Sequence, residues 1–300
     1  MLDLLCLGEM LIDFAPVDGL YQPNPGGAPA NVACAAAKLG LDAAFVGQVG
    51  PDGFGALCRQ ALADAGCRTE YLYTGTQPTT LAFITLSPDG DRSFAFYRTG
   101  TADVSLDQVP EEPCRVYHFG SVSLTAEPSR STTLRGAREA KARGALISYD
   151  PNLRPALWPD LETARREMTA ALPLADYVKL AEEEVEFLFD TPEAEAIPAA
   201  MAQYGLTLVV VTRAERGCTA YFNGQTFDSP ALDVQAIDTT GAGDSFWAGL
   251  LSQILRNGLS AETLPAALRY ANTVGGLVTT RRGAIPALPT AEEVAAVLAK

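Results

Sequence analysis

Short apolar runs alternate with segments of helical period through most of the chain. Leu4–Leu7, Ala44–Val49, Val116–Gly120, Ala145–Asp150, Tyr177–Leu180 and Leu206–Thr212 have strand length, and several are too apolar to leave one face in water. Between them, Ala30–Leu39, Phe54–Ala65, Ser129–Arg143 and Glu182–Phe189 repeat apolar positions at helical spacing. Gly40 and Gly66 stand where C-terminal caps belong. Strands that are apolar on both faces and alternate with helices predict an α/β fold: a mostly parallel central sheet covered by helices on both sides.

Two stretches break this rhythm, at about residues 10–22 and 71–99. The second holds the alternating run Leu81-Ala82-Phe83-Ile84-Thr85-Leu86, a turn at Pro88-Asp89-Gly90, and Ser93-Phe94-Ala95-Phe96-Tyr97. An Asp-Gly turn between alternating runs predicts a hairpin. The two excursions are expected to form antiparallel strands outside the main sheet, as a small β-sheet lid; edge hairpins of the main sheet are the alternative. No internal repeat or low-complexity linker divides the chain, so residues 1–300 are expected to form one domain.

Composition narrows the partners. Thirty-six acidic against 22 basic residues give a formal net charge of −14. A field of that sign repels phosphate backbones and anionic lipid, so neither nucleic acid nor membrane is expected as a partner. The six cysteines are scattered without a CxxC pair, and His118 is the single histidine. A structural zinc site or disulfide scaffold is therefore not expected, and a reducing, cytoplasmic setting is. The charge-free stretch Gly19–Ala37 carries three prolines and two asparagines and does not suit a membrane span. The N-terminus lacks a basic signal-peptide region and carries Asp3. His118 lies within a strand pattern, where a hydrogen-bonded core histidine is expected.

The chemistry concentrates in Asp238-Thr239-Thr240-Gly241-Ala242-Gly243-Asp244. Phe246, Trp247, Leu250, Leu251, Ile254 and Leu255 follow at helical spacing, so a glycine-rich turn opens a helix with an aspartate in its first turn. The first N–H groups of a helix lack internal partners and sit at the positive end of its dipole. Small residues at Gly241, Ala242 and Gly243 let an anion reach them. A carboxylate beside such a site has a use if it takes a proton from a hydroxyl that attacks a phosphate. The bland alternative is an acidic residue that merely favours the dipole. Neither a Walker A motif nor a GxGxxG after the first strand is present, which removes the main support for P-loop and dinucleotide-binding folds.

This string resembles the C-terminal signature of the ribokinase-like (PfkB) carbohydrate kinases, and Gly26-Gly27-Ala28-Pro29-Ala30-Asn31-Val32-Ala33 resembles their N-terminal signature. Gly47-Gln48-Val49-Gly50-Pro51-Asp52-Gly53-Phe54-Gly55 is a third match. The likeness runs from Gly8-Glu9 to Ile285-Pro286. Gly8-Glu9 with Asp13, Asp150-Pro151-Asn152-Leu153-Arg154 and Thr279–Pro289 are most similar to the bacterial fructokinases.

The resemblance implies a ribokinase-like fold and transfer of the γ-phosphoryl of ATP to a sugar hydroxyl, with fructose the expected acceptor and fructose 6-phosphate the product. It implies that Asp244 is the catalytic base and that Gly241, Ala242 and Gly243 stabilise the transferring phosphoryl. Asp13, Gly26, Gly27 and Asn31 resemble the family's sugar-binding residues. Alone, Asn31 also suits a helix N-cap, and Gly26-Gly27 a simple turn. Arg98 and Arg154 are candidate clamps for phosphate or substrate, with a solvated strand end and a loop salt bridge as their alternatives. Nucleotide contacts are implied for Lys179, Glu184, Thr212, Gly217, Gly243 and Asn272. Glu184 would act on Mg2+ indirectly, and Asp238 and Thr240 would lie near a monovalent cation such as K+. Two positions depart from the family pattern: Ala181 replaces the amide of Asn-x-x-Glu, and Ala214 replaces a glycine in Thr-x-Gly-x-x-Gly. A homodimer through the lid is open in family fashion. A 2-keto-3-deoxygluconate kinase and a catalytically inactive sugar sensor are the competing readings.

Overall fold

Apolar side chains that alternate along β1 (Leu2–Leu7) go to opposite sides of one sheet. Leu4 and Cys6 enter one core, and Leu5 and Leu7 the other. Further along the chain come β2 (Leu11–Val17), β3 (Leu20–Gly26), β4 (Ala43–Val49), β5 (Leu72–Thr74), β6 (Thr80–Leu86) and β7 (Arg92–Tyr97). The remaining strands are β8 (Cys114–Gly120), β9 (Leu146–Asp150), β10 (Tyr177–Ala181), β11 (Leu208–Thr212), β12 (Cys218–Phe222) and β13 (Gln225–Ser229). The helices are α1 (Ala28–Lys38), α2 (Gly53–Asp64), α3 (Ser129–Ala142), α4 (Leu161–Ala171), α5 (Glu182–Phe189), α6 (Glu193–Tyr204), α7 (Ala242–Asn257), α8 (Leu264–Thr279) and α9 (Ala291–Leu298). This computed structural model describes residues 1–17, 19–86 and 92–299.

A nine-stranded sheet runs β13-β12-β11-β10-β9-β8-β1-β4-β5. Its pairs from β11 to β5 are parallel, and β12 and β13 close one edge as an antiparallel hairpin. All seven residues of β4 are buried, as a strand covered on both faces requires. On one face α1, α7 and α8 pack over Leu4, Phe45, Val116 and Val210. On the other, α3, α4, α5 and α6 pack over Leu5, Tyr117, Ile147 and Val209. The chain builds outward from β1 through β4 to β5, then returns to the other side of β1 at β8. Strand order therefore reverses between β1 and β8, and ligands of open α/β sheets bind beside the carboxyl ends of the strands at such a point.

The smaller sheet has the order β3-β2-β6-β7. Its central pair, β2 and β6, is parallel, with Leu11 opposite Thr80 and Phe14 opposite Phe83, whereas antiparallel strands were expected. Both strands follow from the carboxyl ends of mutually parallel strands, β1 and β5, and so leave the main sheet in the same direction. Leu72–Thr74 also departs from expectation: it pairs with β4 in the main sheet, with Leu72 buried in the core, so the second excursion begins at Thr80 and not near residue 71. The first excursion runs on to Gly26, and β3 carries Pro23 and Pro25 because it is an edge strand. Phe14 and Phe83 stack at 4.7 Å between ring centres and join the two excursions. The expected Pro88-Asp89-Gly90 turn lies outside the described residues. No described helix is long and apolar enough to cross a membrane.

Helix α7 is keyed to the sheet by a buried polar contact. Trp247 Nε1 donates to Ser148 Oγ at 2.7 Å, and the same hydroxyl lies 2.9 Å from His118 Nδ1. All three residues are buried. Burial pushes the His118 ring down to about 4, so it is neutral near pH 7 and can share a proton with Ser148. Ser148→Ala strands the indole N–H in an apolar core. It is expected to cost about 1–3 kcal/mol, read as a lower urea midpoint with an unchanged slope.

Candidate active site

The first turn of α7 lies against β10, α1 and the loop at 280–284. Gly241 precedes the helix at φ 77°, a left-handed conformation that favours glycine, and a Cβ there would come within 2.9 Å of Ala284 Cβ. Asp244, the third residue of the helix, is 9% exposed. Its Oδ2 accepts a hydrogen bond of 2.8 Å from Asn31 Nδ2. Asn31 is the fourth residue of α1, and the helix cap is Gly27, so the N-cap reading of Asn31 is overturned. The helix starts earlier than its apolar spacing suggests because Pro29 fits the first turn. Gly27 has φ 123°, and a Cβ on it would lie 2.3 Å from the Glu9 carbonyl oxygen. This close approach of backbones, more than a simple turn, explains the glycine. Gly26 comes similarly close to the Asp13 carboxylate.

Charges surround this turn. Lys179 Nζ donates to Asp150 Oδ2 at 2.7 Å, with both side chains buried. A Cβ placed on Gly243 would be 3.5 Å from the same Nζ, so the ammonium lies directly against α7. Burial, aided by the Asp150 charge, pushes Asp244 up to about 6; the Asn31 hydrogen bond, Lys179 and Arg154 oppose the rise. Burial pushes Asp13 up to about 7, with Arg154 opposing and Asp244 reinforcing. Asp13, Arg154 and Asp244 thus feel one another across the space between β2 and α7. Arg154 is half-buried and donates to the Leu153 carbonyl; among the described residues it makes no ion pair within 4 Å, which removes the loop-salt-bridge reading. The arrangement puts a carboxylate near its titration point beside a helix N-terminus and a fixed ammonium. An opposed carboxylate and guanidinium suit a ligand rich in hydroxyls.

Comparison with known proteins gives the family. The family model described as pfkB family carbohydrate kinase matches residues 1–291. The chain belongs to the pfkB family of carbohydrate kinases. Fructokinase-1 of Zea mays is 42% identical over 98% of this kinase and 96% of its own length. The crystal structure of fructokinase with bound ATP from Xylella fastidiosa superposes with a TM-score of 0.92 at 36% identity, covering 99% of this chain and 98% of that one. A double mutant of the Vibrio cholerae O395 fructokinase, with fructose, ADP and potassium ion bound, gives 0.91 at 34% identity over 99% and 98% of the two chains. The fold of this pfkB kinase is ribokinase-like.

The other expected site residues of the kinase fall in four places. Arg98 is 7% exposed; its Nε pairs with Asp103 Oδ2 at 2.7 Å, and its other nitrogens reach Thr125 Oγ1 and the Val122 carbonyl. It is neither a solvated strand end nor an unengaged clamp, because burial of a guanidinium demands these partners. Thr212 ends β11, with its hydroxyl on the Leu180 carbonyl at 3.3 Å. Gly217 and Asn272 meet at Ser229, where Asn272 Nδ2 donates to Oγ at 3.0 Å. Asp238 braces its loop: Oδ1 accepts from Thr240 N and Oγ1, and Oδ2 from Gly283 N at 2.9 Å. Glu184 accepts from Leu153 N at 2.6 Å and Ala181 N at 2.8 Å, one carboxylate oxygen each. It does not fit a direct metal ligand, and no described group of three or more His, Cys, Asp or Glu could hold a metal ion. Ala181 sits at the cap of α5 without an acceptor of its own, so only half of a reciprocal cap forms.

Two residues that the sequence reading quoted in its motifs received no role there. Asp150 and Glu9 are buried, and each leaves one carboxylate oxygen without a hydrogen-bond partner among the described residues. Glu9 Oε1 accepts from Ala28 N at 2.9 Å, and burial pushes the group up to about 7. The available signal at Asp150 was a lone charge closing an apolar strand.

Two outcomes follow for the kinase. Ala214 adopts φ 47°, a conformation glycine takes without strain. Ala214→Gly is expected to stabilise by about 0.5–1 kcal/mol in thermal unfolding. For Asp13, the folded value lies above the unfolded one, so its contribution to stability is full below about pH 4 and is lost as pH rises through about 7. Asp13→Asn is expected to raise the melting temperature of the ligand-free protein at pH 8, with the gain vanishing near pH 4. An equal gain at both values would contradict this.

Proposed function

We propose that this protein is an ATP-dependent fructokinase that converts D-fructose to fructose 6-phosphate. The observation that carries the reading is Asp244: buried, pushed up to about 6, and seated in the first turn of α7. A group of that value is ionised at neutral pH yet basic enough to accept a hydroxyl proton. The fructokinases from maize and Xylella direct the reading toward fructose.

Asp13 and Asn31 hold the sugar hydroxyls, with the backbone at Gly26 and Gly27 letting the ligand close and Arg154 balancing the carboxylates. Asp244 accepts the proton of the attacking hydroxyl as that oxygen bonds to phosphorus. The N–H groups around Gly241, Ala242 and Gly243 and the Lys179 ammonium face the charge of the transferring group, since phosphoryl transfer depends on positioning and electrostatics. Bound ATP supplies the phosphoryl group. A divalent cation such as Mg2+ would be carried on its phosphates with water ligands, because Glu184 uses both oxygens on backbone N–H groups. Thr212, Gly217 and Asn272 border the nucleotide on the β11–β13 side, and a potassium ion belongs at the junction of the Asp238–Thr240 and 280–284 loops. The four-stranded sheet closes over the sugar and keeps water from competing as acceptor. Six buried, unpaired cysteines suit a reducing compartment, the cytoplasm.

An acidic sugar such as 2-keto-3-deoxygluconate would need paired cations; Arg98 is held by Asp103, Lys179 by Asp150, and Arg154 faces the carboxylates of Asp13 and Asp244. A sensor without catalysis has no use for a base and an ammonium at the same helix end. ATP-consumption assays over fructose, ketodeoxygluconate, ribose and nucleosides are expected to give fructose the highest kcat/KM. That value should fall tenfold per pH unit below about 6. Asp244→Asn is expected to lower kcat by about 10²–10⁴ while calorimetry still detects fructose binding. Undiminished ADP release by that variant refutes the assignment.

A further inference from the structure

The steps above give Asp150 no task. Asp150 is 1% exposed at the end of β9. Its Oδ2 takes the Lys179 ammonium at 2.7 Å, while Oδ1 has no hydrogen-bond partner among the described residues. A buried carboxylate with unmet lone pairs costs stability, and replacement by an apolar residue would ordinarily be tolerated or better. Lys179 stands beside it on the neighbouring parallel strand, where Val178 is in register with Tyr149. The lysine side chain continues past Asp150 to the first turn of α7, so that a Cβ on Gly243 would meet Cε at 3.4 Å and Nζ at 3.5 Å.

That placement is electrostatically unfavourable for a cation by itself. The N-terminus of a helix carries about half a positive charge and repels an ammonium. Some anion must hold the ammonium there, and Asp244 cannot do so while it also accepts the substrate proton. We propose that Asp150 is a positioning residue for phosphoryl transfer: it fixes the Lys179 ammonium against the mouth of α7, so that cation and helix N–H groups receive the transferring charge together. The proposal rests on the kinase reading.

The charges around Asp244 give a readout, separate from turnover, of the electrostatic coupling among Asp150, Lys179 and the mouth of α7. Asp244 is faced by Asp150 from β9, Lys179 from β10, Arg154 from the loop after β9 and the Asn31 amide from α1. Asp13 faces it from β2. Glu184 of α5 and neutral His118 of β8 lie near Asp150 and Lys179. Removing the Asp150 charge makes Asp244 easier to ionise, and removing the Lys179 charge makes it harder. The two variants must therefore shift its titration in opposite directions.

The test uses the full chain with Asp150→Asn, Lys179→Gln and both together. The Asp244 titration is followed by carbon NMR of aspartate-labelled, ligand-free protein, which needs no sugar, and kinetics are measured with fructose and ATP. Asp150→Asn is expected to move the Asp244 midpoint to lower pH and Lys179→Gln to higher pH. Each should lower kcat by about tenfold to a hundredfold with the fructose KM changed less than about threefold. The double variant should be no slower than Lys179→Gln alone, because Asp150 acts through the lysine. An Asp150→Asn enzyme within about twofold of the original kcat overturns the proposal, as does a double variant whose loss is the product of the single losses. If circular dichroism shows Asp150→Asn unfolded, Lys179→Gln decides: an unchanged kcat or an unmoved Asp244 midpoint overturns it. Failure of the unaltered protein to phosphorylate any sugar counts against the kinase reading instead, and the NMR shifts remain a separate measure of the Asp150–Lys179–Asp244 coupling.

Discussion

The hydrogen bond from Asn31 to Asp244 joins residues 213 positions apart, and the candidate site depends on it. Without it, the first turn of α7 would present a buried carboxylate with no hydrogen bond to its Oδ2 from α1, left to the helix dipole and the charges of Lys179 and Arg154. With it, α1 and α7 are locked together at their N-terminal ends, and the start of α1 takes its place from the carboxylate proposed as base. The Gly27 backbone, pressed on the Glu9 carbonyl, and the Glu9 carboxylate on Ala28 N fix α1 to the connection between the two sheets. One contact thus relates the connection between the two sheets to the first turn of α7.

Around that bond the protein tolerates an unusual charge density. Among the described residues, Asp13, Asp150, Glu184 and Asp244 converge with Lys179 and Arg154 in opposition. Burial raises Asp13, Glu184 and Asp244, so the ligand-free site carries its carboxylates at a cost to stability. The overall net charge of −14 does not assist phosphate binding. Attraction for an anion must be local, from helix N–H groups and an ammonium held within the first turn's reach, where distance and low polarity strengthen it. Away from that turn the structure resolves its charges internally. Arg98 with Asp103 and Arg213 with Glu193 are ion pairs that brace loops.

Much of the architecture is written locally. The alternation in Leu4–Leu7, the unbroken burial of β4 and the helical spacing after Asp244 are periodicities of adjacent residues, and they follow directly from the geometry of strand and helix. The same holds for the Gly241–Asp244 turn, since glycine, helix start and carboxylate are neighbours in the chain. The direction of β6 relative to β2 is not local. It depends on which edge of the main sheet each excursion leaves, and a hairpin-like alternation is the same for either direction. Leu72–Thr74 is likewise too short to announce whether it joins the main sheet or the lid.

The sequence by itself determined the parallel, doubly covered sheet, the helix that opens at Gly241 and the carboxylate in its first turn, because these need only near neighbours. Tertiary structure decided the partners. It took Asn31 away from capping and gave it to Asp244, turned Arg98 inward to Asp103, and set Lys179 between Asp150 and Gly243. A side chain's charge can be read from the chain, but its counter-charge is chosen by whichever strand or helix folding brings within about 3 Å.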